Sequence, residues 1–258
     1  MGFHAAVLTE NDSLLDARAL VPRDPGDLNR AWKAVRDASK PGRLTNPNHI
    51  KTWVAQNEIK RFEVRSGESE QFATAEYYGC TVFVVVTGRS IHIGHMSGER
   101  GQVCPLAKPE TADRYLVGDI EEKIGGSLAQ DIGDCKAAYV VVTGNVANKQ
   151  GTGVPVLLDY FTDDLGIPKE NVRYIQYAHS TALSEFGDPP DDSNPTQGRS
   201  SFQWESFGGP FGGTWKLYLS NETPRLMVSY DKDGNLDTGK PVEWFETGAT
   251  SKPQVVSP

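Results

Sequence analysis

A cysteine and two histidines lie close together in the stretch AEYYGCTVFVVVTGRSIHIGHMSGE, residues 75–99. Cys80 comes directly before an apolar run at 81–87, and His92 and His95 follow a short segment that is typical of a turn. A thiol becomes a strong nucleophile when a neighbouring imidazole accepts its proton, and the same imidazole can later protonate a leaving group. The stretch therefore predicts a cysteine nucleophile and a histidine base that a β-hairpin brings together.

The register of this hairpin decides which histidine meets the cysteine. If Gly88 and Arg89 occupy the centre of the turn, the two strands pair in one defined register. In that register His95 lies on the face of Cys80 and diagonal to it, whereas His92 points to the opposite face. A shift of one residue would exchange the two histidines. We therefore take His95 as the candidate base and keep His92 as the alternative.

The residue before the cysteine suits an amide substrate. Gly79 has no side chain, so a substrate carbonyl can approach the backbone closely, and the N–H groups around Gly79 and Cys80 are candidate oxyanion donors. The leaving group of an amide is ammonia or an amine, which needs protonation by a general acid. A third polar group usually orients the imidazole in such sites.

These features resemble a known family. A Gly-Cys pair opening a β-branched strand, followed by a hairpin and a histidine, resembles the core of the bacterial protein-glutamine deamidases. That superfamily includes the chemoreceptor deamidase CheD, the catalytic domain of cytotoxic necrotizing factor and Burkholderia lethal factor. The segments LGIPKENVRYIQ and GRSSFQ also resemble parts of CheD. Some members carry a threonine upstream of the cysteine, and Thr74 stands at the matching position.

The resemblance implies both a fold and an activity. The implied fold is an α+β, mixed β-sandwich with a few flanking helices. The implied activity is that of a toxin-like, cysteine-dependent amidohydrolase that deamidates glutamine side chains of a protein target. In this reading Cys80 attacks the carboxamide, His95 transfers protons, and Thr74 or a backbone carbonyl orients the imidazole. No metal and no cofactor are required. If an amine replaced water in the second step, the enzyme would be a transglutaminase.

Other classes of function fit the same residues. Cys80 can equally be a buried core thiol, because cysteine is among the most buried residue types. A non-catalytic binding or regulatory domain on the same sandwich needs no activated thiol, and Tyr78 stands where the deamidases carry a small residue. A small-molecule hydrolase or oxidoreductase on a related fold would also use cysteine and histidine, sometimes with a metal.

Strand patterns dominate the chain, which independently favours a mixed sandwich. Residues 137–147 are apolar on both faces, as in a central strand, and 171–178 read as a second strand. A helical pattern at 153–167 lies between them and predicts a strand–helix–strand crossover that ends near Gly166. Residues 114–120 are interpreted as a further strand.

We expect a single domain over residues 1–258. It is divided into a helical N-terminal segment at 1–58, a sandwich core at 59–244 and a flexible tail at 245–258. The helical segment includes a short helix expected to begin near Asn48.

Composition narrows the class of partner. The net charge is -8 and no cluster of Lys and Arg occurs, so we expect no nucleic-acid partner. No apolar run reaches the roughly 20 residues of a membrane helix. The 3 cysteines and 5 histidines are widely spaced, which favours neither a disulfide framework nor a zinc site. The first residues are not typical of a secretory signal. We expect a cytoplasmic protein, or one delivered to a host without a visible signal peptide; its oligomeric state stays open.

Overall fold

Over the residues that the structure describes, the fold consists mainly of β-strands, with two short helices. The computed structural model describes residues 53–65, 67–75, 80–96, 117–134, 137–145, 153–177, 199–219, 225–245 and 254–256. Their strands are, in chain order, β1 (Trp53–Val54), β2 (Glu58–Glu63), β3 (Glu70–Ala75), β4 (Thr81–Val86), β5 (Ser90–Met96), β6 (Tyr139–Asn145), β7 (Val172–Tyr177), β8 (Arg199–Gly208), β9 (Gly212–Leu219), β10 (Leu226–Tyr230), β11 (Val242–Trp244) and β12 (Gln254–Val256). The predicted α+β class is confirmed.

The strands form two sheets. Sheet A has the order β1-β3-β8-β9-β10-β11-β12, and its pairs are antiparallel except for β1 with β3. Sheet B has the order β2-β5-β4-β6-β7, and its pairs are antiparallel except for β6 with β7. Consecutive strands along the chain fall in different sheets between β1 and β4, so the chain crosses repeatedly from one sheet to the other.

The two sheets pack face to face through an apolar core. Sheet A contributes Phe202, Trp215 and Leu217 to this core, and sheet B contributes Val84 and Ile93. All five side chains are fully buried. Because strand side chains alternate between faces, every second residue of β4 enters this core and the others point to the far side of sheet B.

Two helices cover the far side of sheet B. The first, α1, begins with Gly118–Ile120, continues through a π-helical turn at Glu121–Gly125 and ends with Gly126–Asp134. The second, α2, spans Gly153–Asp159 and continues through a π-helical turn at Tyr160–Asp164. Their apolar side chains join Phe83, Val85, Val140 and Val142 of sheet B in a second core.

The predicted crossover is confirmed. Strands β6 and β7 are parallel neighbours, as the strand–helix–strand reading of 137–178 requires, and α2 lies between them in the chain. The chain leaves α2 through Gly166, whose φ of 67° belongs to the left-handed region that glycine adopts without strain.

Two expectations for individual elements are wrong. The strand interpreted at 114–120 is helical where it is described, because Gly118–Ile120 opens α1. Ile120, Ile124 and Leu128 lie four residues apart and are buried against sheet B, so helical periodicity prevails. The short helix expected from Asn48 is also wrong at its end, since Trp53–Val54 pairs with β3 as strand β1.

The predicted helical segment at 1–58 and the predicted flexible tail at 245–258 are described only in part. Most of the helical segment 1–58 lies outside the described residues, and Glu58 already opens β2. Within the segment 245–258, residues Gln254–Val256 pair with β11 as β12, at the edge of sheet A. The single-domain organisation of 1–258 stays a prediction.

Candidate functional site

The candidate site lies where the chain passes from sheet A to sheet B. Strand β1 belongs to sheet A and β2 to sheet B, and residues 55–57 connect them. Cys80 stands at a second such crossing, directly before β4 and after β3. The two crossings meet, because the Gln56 side chain contacts the Cys80 sulfur. Side chains from both sheets therefore converge at this end of the sandwich.

The observed hairpin register brings His95 to the face of Cys80. Thr81 pairs with Met96 and Val82 pairs with His95, which is the register predicted from a turn at Gly88 and Arg89. Cys80 belongs to the core between the sheets together with Val82 and Val84. His95 lies opposite Val82 and therefore shares that face, diagonal to Cys80, a relationship for which Cα separations are typically about 7–8 Å.

The backbone holds His95 from both sides. Its strand, β5, lies between β4 and β2, and His95 pairs with Val82 on one side and Glu58 on the other. The Asn57 N–H also donates a hydrogen bond to the His95 carbonyl at 2.7 Å. The imidazole therefore projects from a strand that is paired on both sides, and it is fully buried.

Thr74 lies against the imidazole, as predicted. The distance from Thr74 Oγ1 to His95 Nδ1 is 2.8 Å, and Thr74 Oγ1 also donates to the Val54 carbonyl at 2.8 Å. A hydroxyl has a single hydrogen, so Thr74 gives it to Val54 and accepts one from Nδ1–H. This arrangement leaves the lone pair of the neutral ring on Nε2, the nitrogen that a general base would use.

Burial keeps His95 neutral. Removal from water lowers the pKa of His95 to about 4, and the Glu58 carboxylate opposes this effect only in part. An imidazole with such a pKa carries no proton on Nε2 at neutral pH, so a lone pair is available there. Because general-base catalysis is most effective when the pKa of the base lies near the working pH, the burial that keeps His95 neutral also makes it a weaker base than an ordinary histidine.

The Gln56 side chain contacts the cysteine sulfur. Cys80 forms no disulfide and only 5% of it is exposed to solvent. Gln56, in contrast, is exposed. Gln56 Nε2 donates a hydrogen bond to Cys80 Sγ at 3.6 Å. The sequence gives no signal for this contact, because the two residues are 24 positions apart and belong to different crossings between the sheets. Gly79 lies outside the described residues, so the oxyanion donors proposed at Gly79 and Cys80 stay a prediction.

A tight turn holds Gln56 in place. The Glu58 N–H donates to the Ala55 carbonyl at 3.1 Å, and the Ala55 N–H donates to Glu58 Oε2 at 2.8 Å. Asn57 has a φ of 65°, a left-handed conformation that asparagine adopts more readily than most residues. Lys60 adds an ion pair to Glu58 at 2.6 Å and donates to the Trp53 carbonyl at 3.2 Å.

His92, the alternative base, lies on the other face of the hairpin. It pairs with Val85, whose side chain faces the helices, and it is fully buried. Its Nε2 atom lies 2.8 Å from Asp131 Oδ2 of α1. The observed register therefore separates His92 from the face that carries Cys80.

Asp131 is the centre of a buried polar cluster around His92. Arg61 binds both carboxylate oxygens, from Nε at 2.7 Å and from Nη2 at 3.0 Å, and Ser90 Oγ donates at 2.6 Å. Burial alone would raise the pKa of Asp131, but the hydrogen bonds from His92, Arg61 and Ser90 outweigh it and hold the pKa well below its ordinary value. Burial in turn lowers the pKa of His92, against the pull of Asp131. The cluster ties α1 to sheet B.

In the ranges that the structure describes, no group of three His, Cys, Asp or Glu side chains is placed to hold a metal ion. None of the helices described is long and apolar enough to cross a membrane.

The chain matches no protein-family model and no curated protein.

Proposed function

We propose that the chain is a cysteine-dependent amidohydrolase that deamidates glutamine side chains of a protein target. The observation that carries this proposal is the 2.8 Å hydrogen bond between Thr74 and His95 on the face that Cys80 shares. It fixes the neutral imidazole in the tautomer that a base needs.

The proposed reaction has two stages. Cys80 Sγ attacks the Cδ carbon of the target glutamine while His95 Nε2 accepts the thiol proton. That proton passes to the amide nitrogen, the C–N bond breaks and ammonia leaves, which forms a thioester. Water then attacks the thioester with His95 as base, the S–C bond breaks, and the product is glutamate. Thr74 is a positioning residue, since it acts through His95.

The same acyl intermediate also allows transglutamination. If a primary amine reached the thioester before water, the product would be a substituted amide. Incubation with a fluorescent primary amine and a glutamine-containing protein separates the two outcomes. Incorporated fluorescence indicates transfer, whereas release of ammonia without incorporation indicates hydrolysis.

The main experiment is mass spectrometry of candidate target proteins after incubation with the full chain. We expect the small mass gain that accompanies replacement of an amide NH2 by OH, at specific glutamines. Cys80→Ser and His95→Ala should abolish the gain while retaining the circular dichroism spectrum of the folded protein. Lys232→Ala, in an exposed turn after β10, is the matched control and should retain activity. Equal activity in Cys80→Ser would overturn the proposal.

A non-catalytic binding domain is the second candidate, and the low exposure of the cysteine favours it. Only 5% of Cys80 is exposed, so a substrate reaches the sulfur only after the side chains around it move. Iodoacetamide labelling at neutral pH distinguishes the two functions. If the chain is an enzyme, iodoacetamide should label Cys80 more slowly in His95→Ala than in the wild-type chain, because the imidazole promotes thiolate formation. Slow labelling that is independent of His95 would favour the binding domain.

A further inference from the structure

The contact between Gln56 and Cys80 places a glutamine carboxamide of the chain itself against the proposed nucleophile. The proposed substrate is also a glutamine carboxamide, so the chain presents its own version of the group on which the thiol acts. Nε2 is 3.6 Å from Sγ, and the carbonyl carbon Cδ is one covalent bond from Nε2. Rotation about the Cβ–Cγ bond of Gln56 moves Cδ and can bring it toward the attack distance of about 3–3.5 Å.

We propose that Gln56 is a self-modification site, at which Cys80 converts the glutamine to a glutamate within the same chain. This inference rests on the proposed function. The sulfur forms a bond to Cδ, the thiol proton reaches the amide nitrogen by way of His95, and ammonia leaves. Water then supplies the oxygen that replaces the amine, the S–C bond breaks, and the sulfur regains a proton. The overall change consumes one water and releases one ammonia.

The turn around Gln56 favours reaction within the chain. The Asn57 N–H bonds the His95 carbonyl at 2.7 Å, so the backbone beside Gln56 is tied to the strand that carries the base. The Ala55–Glu58 hydrogen bonds close the turn on the other side. Only the side-chain torsions of Gln56 remain to be set, and such prior fixation raises the effective concentration of one group near another.

The product would change the cover on the cysteine. The Gln56 amide donates a hydrogen bond to Sγ, whereas a glutamate carboxylate is acceptor-only and cannot. It would also lie two residues from the Glu58 carboxylate, which adds repulsion between like charges. We therefore expect the modified side chain to leave the sulfur, so that self-modification opens the site to a target.

Tryptic digestion gives a direct test, since Lys51 and Lys60 frame the peptide TWVAQNEIK. Fragment-ion spectra should show glutamate at position 56 in the wild-type chain and unmodified glutamine in Cys80→Ser and Cys80→Ala. Asn57, in the same peptide, is the internal control, because its spontaneous deamidation does not require Cys80. Unmodified Gln56 in a wild-type chain, or equal conversion in the cysteine variants, would overturn the inference.

Two further measurements complete the test. Heavy-nitrogen-labelled Cys80→Ser mixed with unlabelled wild-type chain should keep Gln56, and its conversion would show reaction between molecules and contradict the proposal. Ammonia release from an N-blocked glutaminyl-glycine dipeptide separates the two hypotheses. Wild-type chain that releases ammonia but keeps Gln56 disproves self-modification alone. Wild-type chain that neither modifies Gln56 nor produces the Cys80-dependent mass gain on candidate target proteins disproves the amidohydrolase as well.

Discussion

Thr74 and His95 belong to different sheets, yet Thr74 Oγ1 lies 2.8 Å from His95 Nδ1. The contact spans the interface of the sandwich, so the packing of the two sheets sets the orientation of the imidazole. A change in the spacing of the sheets would alter this hydrogen bond, because His95 lies in sheet B whereas the orienting group, Thr74, lies in sheet A.

The first prediction concerns Thr74. In Thr74→Val the shape is kept but the acceptor for His95 Nδ1–H is lost, so a buried donor loses its partner and unfolding free energy falls by about 1–3 kcal/mol. We expect deamidation to fall at least about tenfold, since the base loses its fixed tautomer. Thr74→Ser keeps the hydroxyl and should recover most of the rate. Equal loss in the serine and valine variants, measured by single-turnover ammonia release, would contradict a positioning role.

The second prediction concerns acid stability. Burial lowers the folded-state pKa of His95 to about 4 from 6.5, so the unfolded chain binds the proton more readily. The resulting stability is fully present above the unfolded value and is lost as pH falls toward 4. The shift corresponds to about 3 kcal/mol of unfolding free energy between neutral pH and pH ~4.

Urea unfolding at a series of pH values measures this effect. The lowered pKa of His92 acts in the same direction, so the wild-type chain should lose stability from both rings as the pH falls. His95→Gln removes one of the two titrations and should show a shallower decline with acid. An identical slope in the wild-type chain and in His95→Gln would show that His95 is not the buried neutral group described.

The hairpin and the crossover were predictable from local sequence. A two-residue turn at Gly88 and Arg89 fixes the register of the strands on either side, and the register fixes which histidine shares a face with Cys80. The crossover at 137–178 is likewise encoded in consecutive patterns of strand, helix and strand. Both relationships depend on neighbouring segments, so sequence periodicity suffices to find them.

The remaining parts of the site depend on contacts between distant segments. Gly125, Gly126 and Gly133 weaken the helical signal of α1, because glycine is a poor helix former. If α1 is not predicted, the contact between Asp131 and His92 cannot be predicted from the sequence either. The Gln56–Cys80 contact arises only when two crossings between the sheets meet. Periodicity carries no information about such a meeting.

The third prediction tests the cluster around Asp131. Asp131→Ala would leave the Arg61 guanidinium without its bidentate partner and His92 without its acceptor. Loss of one member of a buried ionic group costs about 3–5 kcal/mol. Asp134, on the same helix, pairs with Arg89 at 3.2 Å near the surface, so Asp134→Ala should cost less than about 1 kcal/mol. Urea midpoints measure both, and similar losses in the two variants would contradict a structural role for the cluster.

The fourth prediction concerns Gly94 in the strand that carries His95. Gly94 pairs with Phe83 across β4 and β5, and a Cβ atom at position 94 would overlap the Phe83 ring. Gly94→Ala should therefore lower the unfolding free energy by about 1–3 kcal/mol. Gly133→Ala is the matched control, because it lies in α1 with open space around it and should be neutral or slightly stabilising.

A double-mutant cycle tests the cause of the Gly94 effect. Phe83→Leu replaces the ring that a Cβ at position 94 would meet with a smaller side chain. Gly94→Ala should therefore lower the unfolding free energy less in the Phe83→Leu background than in the wild-type chain. Denaturant unfolding of the two single variants and the double variant gives the coupling energy. If the two effects on unfolding free energy were strictly additive, the loss in Gly94→Ala would come from the backbone of β5 and not from overlap with Phe83. The close packing of Phe83 against Gly94 would then make no contribution to stability.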